Sequence, residues 1–95
     1  MEIMTNRAST HNNLAYMSNK IAKLIYQSKH RGCKENDILL DRFVDKIAEL
    51  SLPDLDLYEQ FLNEDDVDIY NWLCNINFLP EKYNNLIKLF DQTQT

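Results

Sequence analysis

One glycine and two prolines in 95 residues are too little backbone punctuation for a sheet protein, whose tight turns call on both residue types. Gly32 is that single glycine, and its isolation excludes the glycine-rich loops that cradle phosphates and the fingerprint that binds dinucleotides. The two cysteines, Cys33 and Cys74, lie far apart with no His or second Cys at ligand spacing, so no zinc site is expected. Two cysteines in a chain without a secretory signal read as free thiols in a reducing compartment, cytosol or organelle matrix. No apolar run approaches the length that spans a bilayer, so no membrane role is expected. Histidine is scarce too. His11 and His30 have no acid arranged beside them for a Ser or Cys triad, and no catalytic residue is assigned. Asp65, Asp66 and Asp68 lack the glycine and closing glutamate of a calcium loop, so no metal site is expected there either.

What the chain does contain is enough apolar material for one modest core. With 44% hydrophobic and 26% charged residues and a formal charge of -5, the composition is that of a folded domain, and its acidity argues against nucleic-acid binding. Charge is segregated along the sequence. Lys20, Lys23, Lys29, Arg31 and Lys34 share residues 20–34 with no acid, whereas Asp54, Asp56, Glu59, Glu64, Asp65, Asp66 and Asp68 share residues 54–68 with no base. Such segregation favours oriented docking to a complementary surface over any particular chemistry.

Periodicity predicts an all-α protein, a compact bundle of five helices. The first spans residues 14–29, with Leu14, Met17, Ile21, Leu24 and Ile25 inward, Lys20 and Lys23 on the opposite face, and Gly32 as a left-handed cap. The second spans residues 35–50. Its wide stripe of Leu39, Leu40, Phe43, Val44, Ile47 and Leu50 marks it as the bundle's centre, with Asp37, Asp41, Asp45 and Glu49 solvated. Ser51 through Asp54 forms an N-terminal signature for a third helix to residue 63, with Pro53 in its first turn and Leu55, Tyr58 and Leu62 inward. Asp65 or Asp66 caps a fourth carrying Ile69, Trp72, Leu73 and Ile76. Pro80 opens a fifth carrying Tyr83, Leu86, Ile87 and Phe90. The domain therefore covers residues 14–92, with flexible ends at 1–13 and 93–95.

Two polar clusters remain as candidate contact sites. In Arg31-Gly32-Cys33-Lys34-Glu35, a fixed turn would hold the planar donors of Arg31 and the carboxylate of Glu35 pointing outward, with Lys34 between them. Asp66, Asp68, Tyr70 and Asn71 surround Trp72, where acids in a first helical turn and an inward Trp are also the ordinary structural arrangement.

Arg31-Gly32-x-x-Glu35, followed by Asp66-x-Asp68-Ile69-Tyr70-Asn71-Trp72-Leu73, resembles the small helical family of succinate dehydrogenase assembly factors, also called flavinylation factors. The similarity runs from about residue 17 to about residue 92. It implies a five-helix bundle and a non-enzymatic chaperone that binds the flavoprotein subunit of succinate dehydrogenase, and in some members that of fumarate reductase. By the same resemblance the chaperone promotes covalent attachment of FAD to a histidine of that subunit, holding no cofactor stably itself and standing as a monomer when alone. Arg31, Gly32 and Glu35 match the family's surface motif; Asp68, Asn71 and Trp72 match the second motif, where a structural part is equally implied. Cys33, Asn36 and Val67 depart from the usual pattern, and Cys33 reads as a filler of a partly buried position. Lacking a convincing presequence in residues 1–13, the chain is expected to be a bacterial cytoplasmic member rather than a mitochondrial matrix one. The alternative is a helical interaction module with an unrelated partner, such as an antitoxin-like protein.

Overall fold

The computed structural model describes the backbone of residues 2–91 and the side chains of residues 14–90. Six α-helices follow in order: α1 Glu2–Lys29, α2 Lys34–Asp41, α3 Val44–Ile47, α4 Leu52–Leu62, α5 Asp66–Cys74 and α6 Ile87–Asp91. Two 3₁₀ helices, Ile76–Phe78 and Glu81–Leu86, lie between α5 and α6. There is no strand among the described residues.

The bundle is all-α, but the count of five helices does not hold. The long second helix is broken after α2, where Arg42 and Phe43 donate to the carbonyls three residues back, Leu39 and Leu40, and Phe43 leaves helical geometry at ψ -8°. Phe43 and Ile47, on either side of the break, are both buried in the core, as their four-residue spacing on the apolar stripe implied. After Pro80 the chain is first a 3₁₀ helix and only then α6, and this tighter winding buries Leu89 as well as the expected Tyr83, Leu86 and Phe90. Helical backbone begins at Glu2, twelve residues ahead of the expected start. The side chains of residues 1–13, His11 among them, and all of residues 93–95 lie outside the described residues.

The centre of the core is α4 and not the second helix. Leu55, Tyr58, Phe61 and Leu62 are all buried, because the short apolar periodicity of α4 faces α1 on one side and the 3₁₀ segment on the other. Among the described residues Phe61 sits amid four rings: Tyr58 at 6.2 Å, Trp72 at 6.0 Å, Tyr83 edge-on at 5.4 Å and Phe90 at 5.0 Å between centroids. Phe43 extends the cluster against Phe90 at 4.9 Å. These separations are those of favourable offset and edge-to-face pairs.

Ser51 caps α4 as expected, accepting from the Asp54 amide at 3.4 Å, with Pro53 in the first turn. Between α1 and α4 a buried polar tie replaces apolar contact. Ser28 donates back to the Leu24 carbonyl at 2.7 Å, which leaves the Tyr58 hydroxyl to donate to Ser28 Oγ at 2.6 Å. Burial pushes the Tyr58 hydroxyl pKa upward, with Ser28 and Arg31 partly offsetting it.

The segregated charges find each other inside the molecule. Lys20, expected on the solvent face, is buried and paired with Glu59 at 2.6 Å and Asp56 at 2.9 Å, while Lys23 reaches Glu59 at 3.1 Å. The basic face of α1 thus lies against the acidic face of α4. Much of the charge that read as a docking surface is an intramolecular seam, and an outside partner meets only what it leaves unpaired.

Candidate functional site

Gly32 lies at φ +91°, the only positive φ among the described residues, and there it ends α1 as the sequence pattern implied. Asp37, expected in solvent, accepts from the Arg31 amide at 2.9 Å, and its own amide donates to the Cys33 carbonyl at 2.8 Å. The turn is therefore closed from both sides, and α2 begins immediately after it. A Cβ at position 32 would meet no atom within 4 Å, so the whole penalty of a side chain there is conformational. Gly32→Ala is expected to cost about 1 kcal/mol of unfolding free energy in a urea titration. No loss at all would mean that the turn relaxes freely.

Arg31 does not point outward. Its side chain is only 14% exposed, and Nε donates to Asp66 Oδ1 at 2.6 Å. Nη1 donates to the Leu62 carbonyl, and Nη2 to the Glu64 carbonyl at 3.1 Å. The Leu62 carbonyl is at the C-terminal end of α4, where helices leave acceptors unsatisfied, and Glu64 lies in the connection just after it, so the guanidinium fork caps one helix while its charge holds the first residue of the next. The Arg31 hydrogen bond is the main reason the Asp66 carboxyl pKa is lowered, and Asn36 adds to it.

Asn36 is the residue that sequence reasoning passed over. Fully buried, it donates through Nδ2 to the Asp66 carbonyl at 2.8 Å and to Asp66 Oδ1 at 3.2 Å, and its own Oδ1 has no partner among the described residues. It was legible only as a departure from an apolar family position. What makes it polar is Asp66, 30 positions along the chain, which no local pattern reveals.

The two sequence motifs thus become one structure. Arg31 from the first and Asp66 from the second form the joint, with Asn36 beneath. Around it, Cys33, Glu35, Asp66, Val67 and Tyr70 line an open hollow of about 300 Å³. Glu35 stands exposed on its rim, where its carboxylate accepts from the Cys33 thiol at 3.7 Å. Lys34 is also exposed but belongs to a different depression, with Lys29, Asp37, Ile38 and Asp41. Asp68 is half-buried without a hydrogen bond or ion pair to the described residues. Tyr70 is 42% exposed, and a hydrogen bond with Cys74 is the chief cause raising its pKa. Asn71 and Trp72 lie away from the hollow, and Trp72 packs on Phe61 and Tyr83, a structural placement. Glu64 is taken up by Tyr83 and Lys82, and the Tyr83 hydrogen bond is the main cause lowering its pKa.

Both cysteines carry free thiols, Cys33 partly buried and Cys74 exposed. Among the described residues no group of three or more His, Cys, Asp or Glu is placed to hold a metal ion, and no helix is long and apolar enough to cross a membrane. The chemistry available at the hollow is recognition: a free carboxylate, a phenol and apolar surface on a rigid turn.

Similarity to known proteins bears on what is recognised. Residues 22–94 match the family model described as the flavinator of succinate dehydrogenase. The chain is 44% identical over 73 residues to succinate dehydrogenase assembly factor 2, mitochondrial, of Kluyveromyces lactis, covering 73% of this chain and 45% of that protein. The same-named protein of Debaryomyces hansenii is 39% identical over 79 residues, covering 77% and 56%, and that of Saccharomyces cerevisiae 42% over 83 residues, covering 82% and 50%. The chain spans about half the length of these relatives. No solved structure shows a significant match. The relatives' names place them in mitochondria, which overturns the expectation of a bacterial cytoplasmic protein. That expectation rested on residues 1–13, whereas the matched region begins at residue 22 and carries no targeting information. Matching along most of its length, with both motifs inside the matched region, the chain belongs to the family of flavinators of succinate dehydrogenase.

Proposed function

We propose that the chain binds the flavoprotein subunit of succinate dehydrogenase in mitochondria and promotes covalent attachment of FAD to it, acting alone as a monomer and leaving once the subunit is assembled further. The family match over residues 22–94 carries this reading, because it contains the whole Gly32 turn and the whole of α5. A flavoprotein of fumarate reductase is a second partner of the same chemistry.

The chain's part is to position. FAD and the acceptor histidine of the partner supply the reactive groups, and holding a partner so that its reacting atoms stay at near-attack distance accelerates bond formation without a nucleophile from the chaperone. Roles within the site divide by exposure. Glu35, free on the rim, is the contact residue, with Lys34 and Tyr70 beside it. Arg31, Gly32 and Asp66 are positioning residues: the ion pair and the left-handed turn fix where Glu35 stands relative to α5. Asp68, in the first turn of α5, and Asn71, beyond the hollow, are further contact residues on α5.

The test is reconstitution of the purified apo-flavoprotein with FAD, with and without the chain, read as flavin fluorescence on a denaturing gel. Wild-type chain is expected to raise the rate of covalent labelling, and Glu35→Ala to lower that gain about tenfold while melting like the wild type, since exposed substitutions change stability by at most about 0.5 kcal/mol. Equal labelling with wild type and with no added chain would refute the assignment.

A further inference from the structure

Beyond the Gly32 turn, α5 carries an apolar line that nothing among the described residues covers. Its core-facing side is Ile69 and Leu73. Val67, Tyr70 and Cys74 recur at three- and four-residue spacing on another side, and Phe78 continues them in the following 3₁₀ helix. Val67 is 71% exposed and Phe78 67%, so both ends of the line face outward. Each end of the line opens into a hollow. At one end is the 300 Å³ hollow rimmed by Glu35; at the other a shallow hollow of about 500 Å³ is lined by Asn71, Trp72, Cys74, Asn75 and Phe78. Val67, Tyr70, Cys74 and Phe78 all stand outside the core cluster of the described residues.

We infer that this line is an extension of the partner-docking surface, and that it receives a flavoprotein segment with two apolar side chains about 10 Å apart and a Lys or Arg at the Glu35 end. The spacing is that of Val67 to Cys74, seven residues of helix at about 1.5 Å each. The cation follows from charge. Glu35 has no ion-pair partner among the described residues, and Asp65 just before α5 and Asp68 in its first turn have none either, whereas Asp66 is neutralised by Arg31. That leaves one end of an apolar line negative. A second copy of this chain would set the same free carboxylates against each other, and an anionic lipid surface would be repelled, so a cationic-apolar protein segment is the occupant that fits.

The inference rests on the reading that the flavoprotein is the partner, and the experiment separates the two. Binding of purified apo-flavoprotein is measured by calorimetry for wild type, Glu35→Ala, Val67→Asp and Phe78→Ser, each confirmed as folded by circular dichroism. Val67→Asp places an acid in a helix's first turn, where negative charge is favourable, and Phe78→Ser alters an exposed position, so both are expected to melt like wild type. Each is expected to weaken binding at least tenfold, and wild-type affinity is expected to fall as salt is raised. If Glu35→Ala weakens binding and both line variants bind like wild type, the line is not part of the interface although the partner is right. If wild type itself does not bind, the partner reading fails and this inference with it. Self-association that Phe78→Ser abolishes, with flavoprotein affinity unchanged, would make a second copy the occupant and overturn the inference.

Discussion

Arg31→Ala is expected to lower unfolding free energy by about 3 kcal/mol, and with it the melting temperature by on the order of 15 °C. The size follows from what the guanidinium holds. It pairs with Asp66 and caps the carbonyls of Leu62 and Glu64 with a side chain only 14% exposed, so alanine removes three hydrogen bonds at once. Asp66 is 40% exposed and regains some water, which keeps the loss below that of a fully buried pair. Covalent flavin in the reconstituted partner is expected to fall too, through misplacement of α5 against the Gly32 turn. Comparison with Glu35→Ala identifies the role: Arg31→Ala loses stability and labelling together, whereas Glu35→Ala loses labelling alone. An Arg31→Ala protein that unfolds in urea like wild type would overturn the positioning role. The pair also sets an acid limit. Because Asp66 titrates below its ordinary value in the folded state, its stabilisation is present above about pH 4 and is lost as pH falls through the depressed folded value. Asp66→Asn is expected to flatten that acid limb of the stability profile.

Phe61→Ala is the second large effect, with an expected cost of about 3–5 kcal/mol. The ring is fully buried and touches four other aromatic rings, from α4, α5, the second 3₁₀ helix and α6. Removing it opens a cavity that rigid neighbouring rings fill poorly. A chain of 95 residues has a total stability of roughly 5–14 kcal/mol, so the variant is expected to lose much or most of it. Near-ultraviolet circular dichroism should lose its aromatic bands at a temperature where wild type keeps them. Phe61→Leu, which restores most of the volume, is expected to recover more than half of the loss. A loss under about 1 kcal/mol for Phe61→Ala would place the centre of the core elsewhere.

Local features of the chain were readable without coordinates because their causes are local. The near absence of glycine and proline, the three- and four-residue spacing of Leu24, Leu55, Tyr58, Leu73, Leu86 and Phe90, the Ser51 cap and the left-handed Gly32 each depend on neighbours a few positions away. The break at Arg42 and Phe43 was not readable, since an unbroken apolar stripe fits a continuous helix just as well. Family membership was also present in the sequence, carried by two motifs in order. What joins those motifs was decided by the fold. Arg31 and Asp66 are 35 positions apart, as Lys20 and Glu59 are 39 apart, and charges at such separation find partners only when α1, α4 and α5 pack. Along the chain the bases of residues 20–34 and the acids of residues 54–68 read as two surfaces seeking an outside partner; once folded, Lys20, Lys23 and Arg31 pair with Asp56, Glu59 and Asp66 across the two segments. Desolvation makes an unpaired charge costly wherever helices meet, so packing selects which charges are neutralised inside and leaves Glu35 and the outer line of α5 exposed.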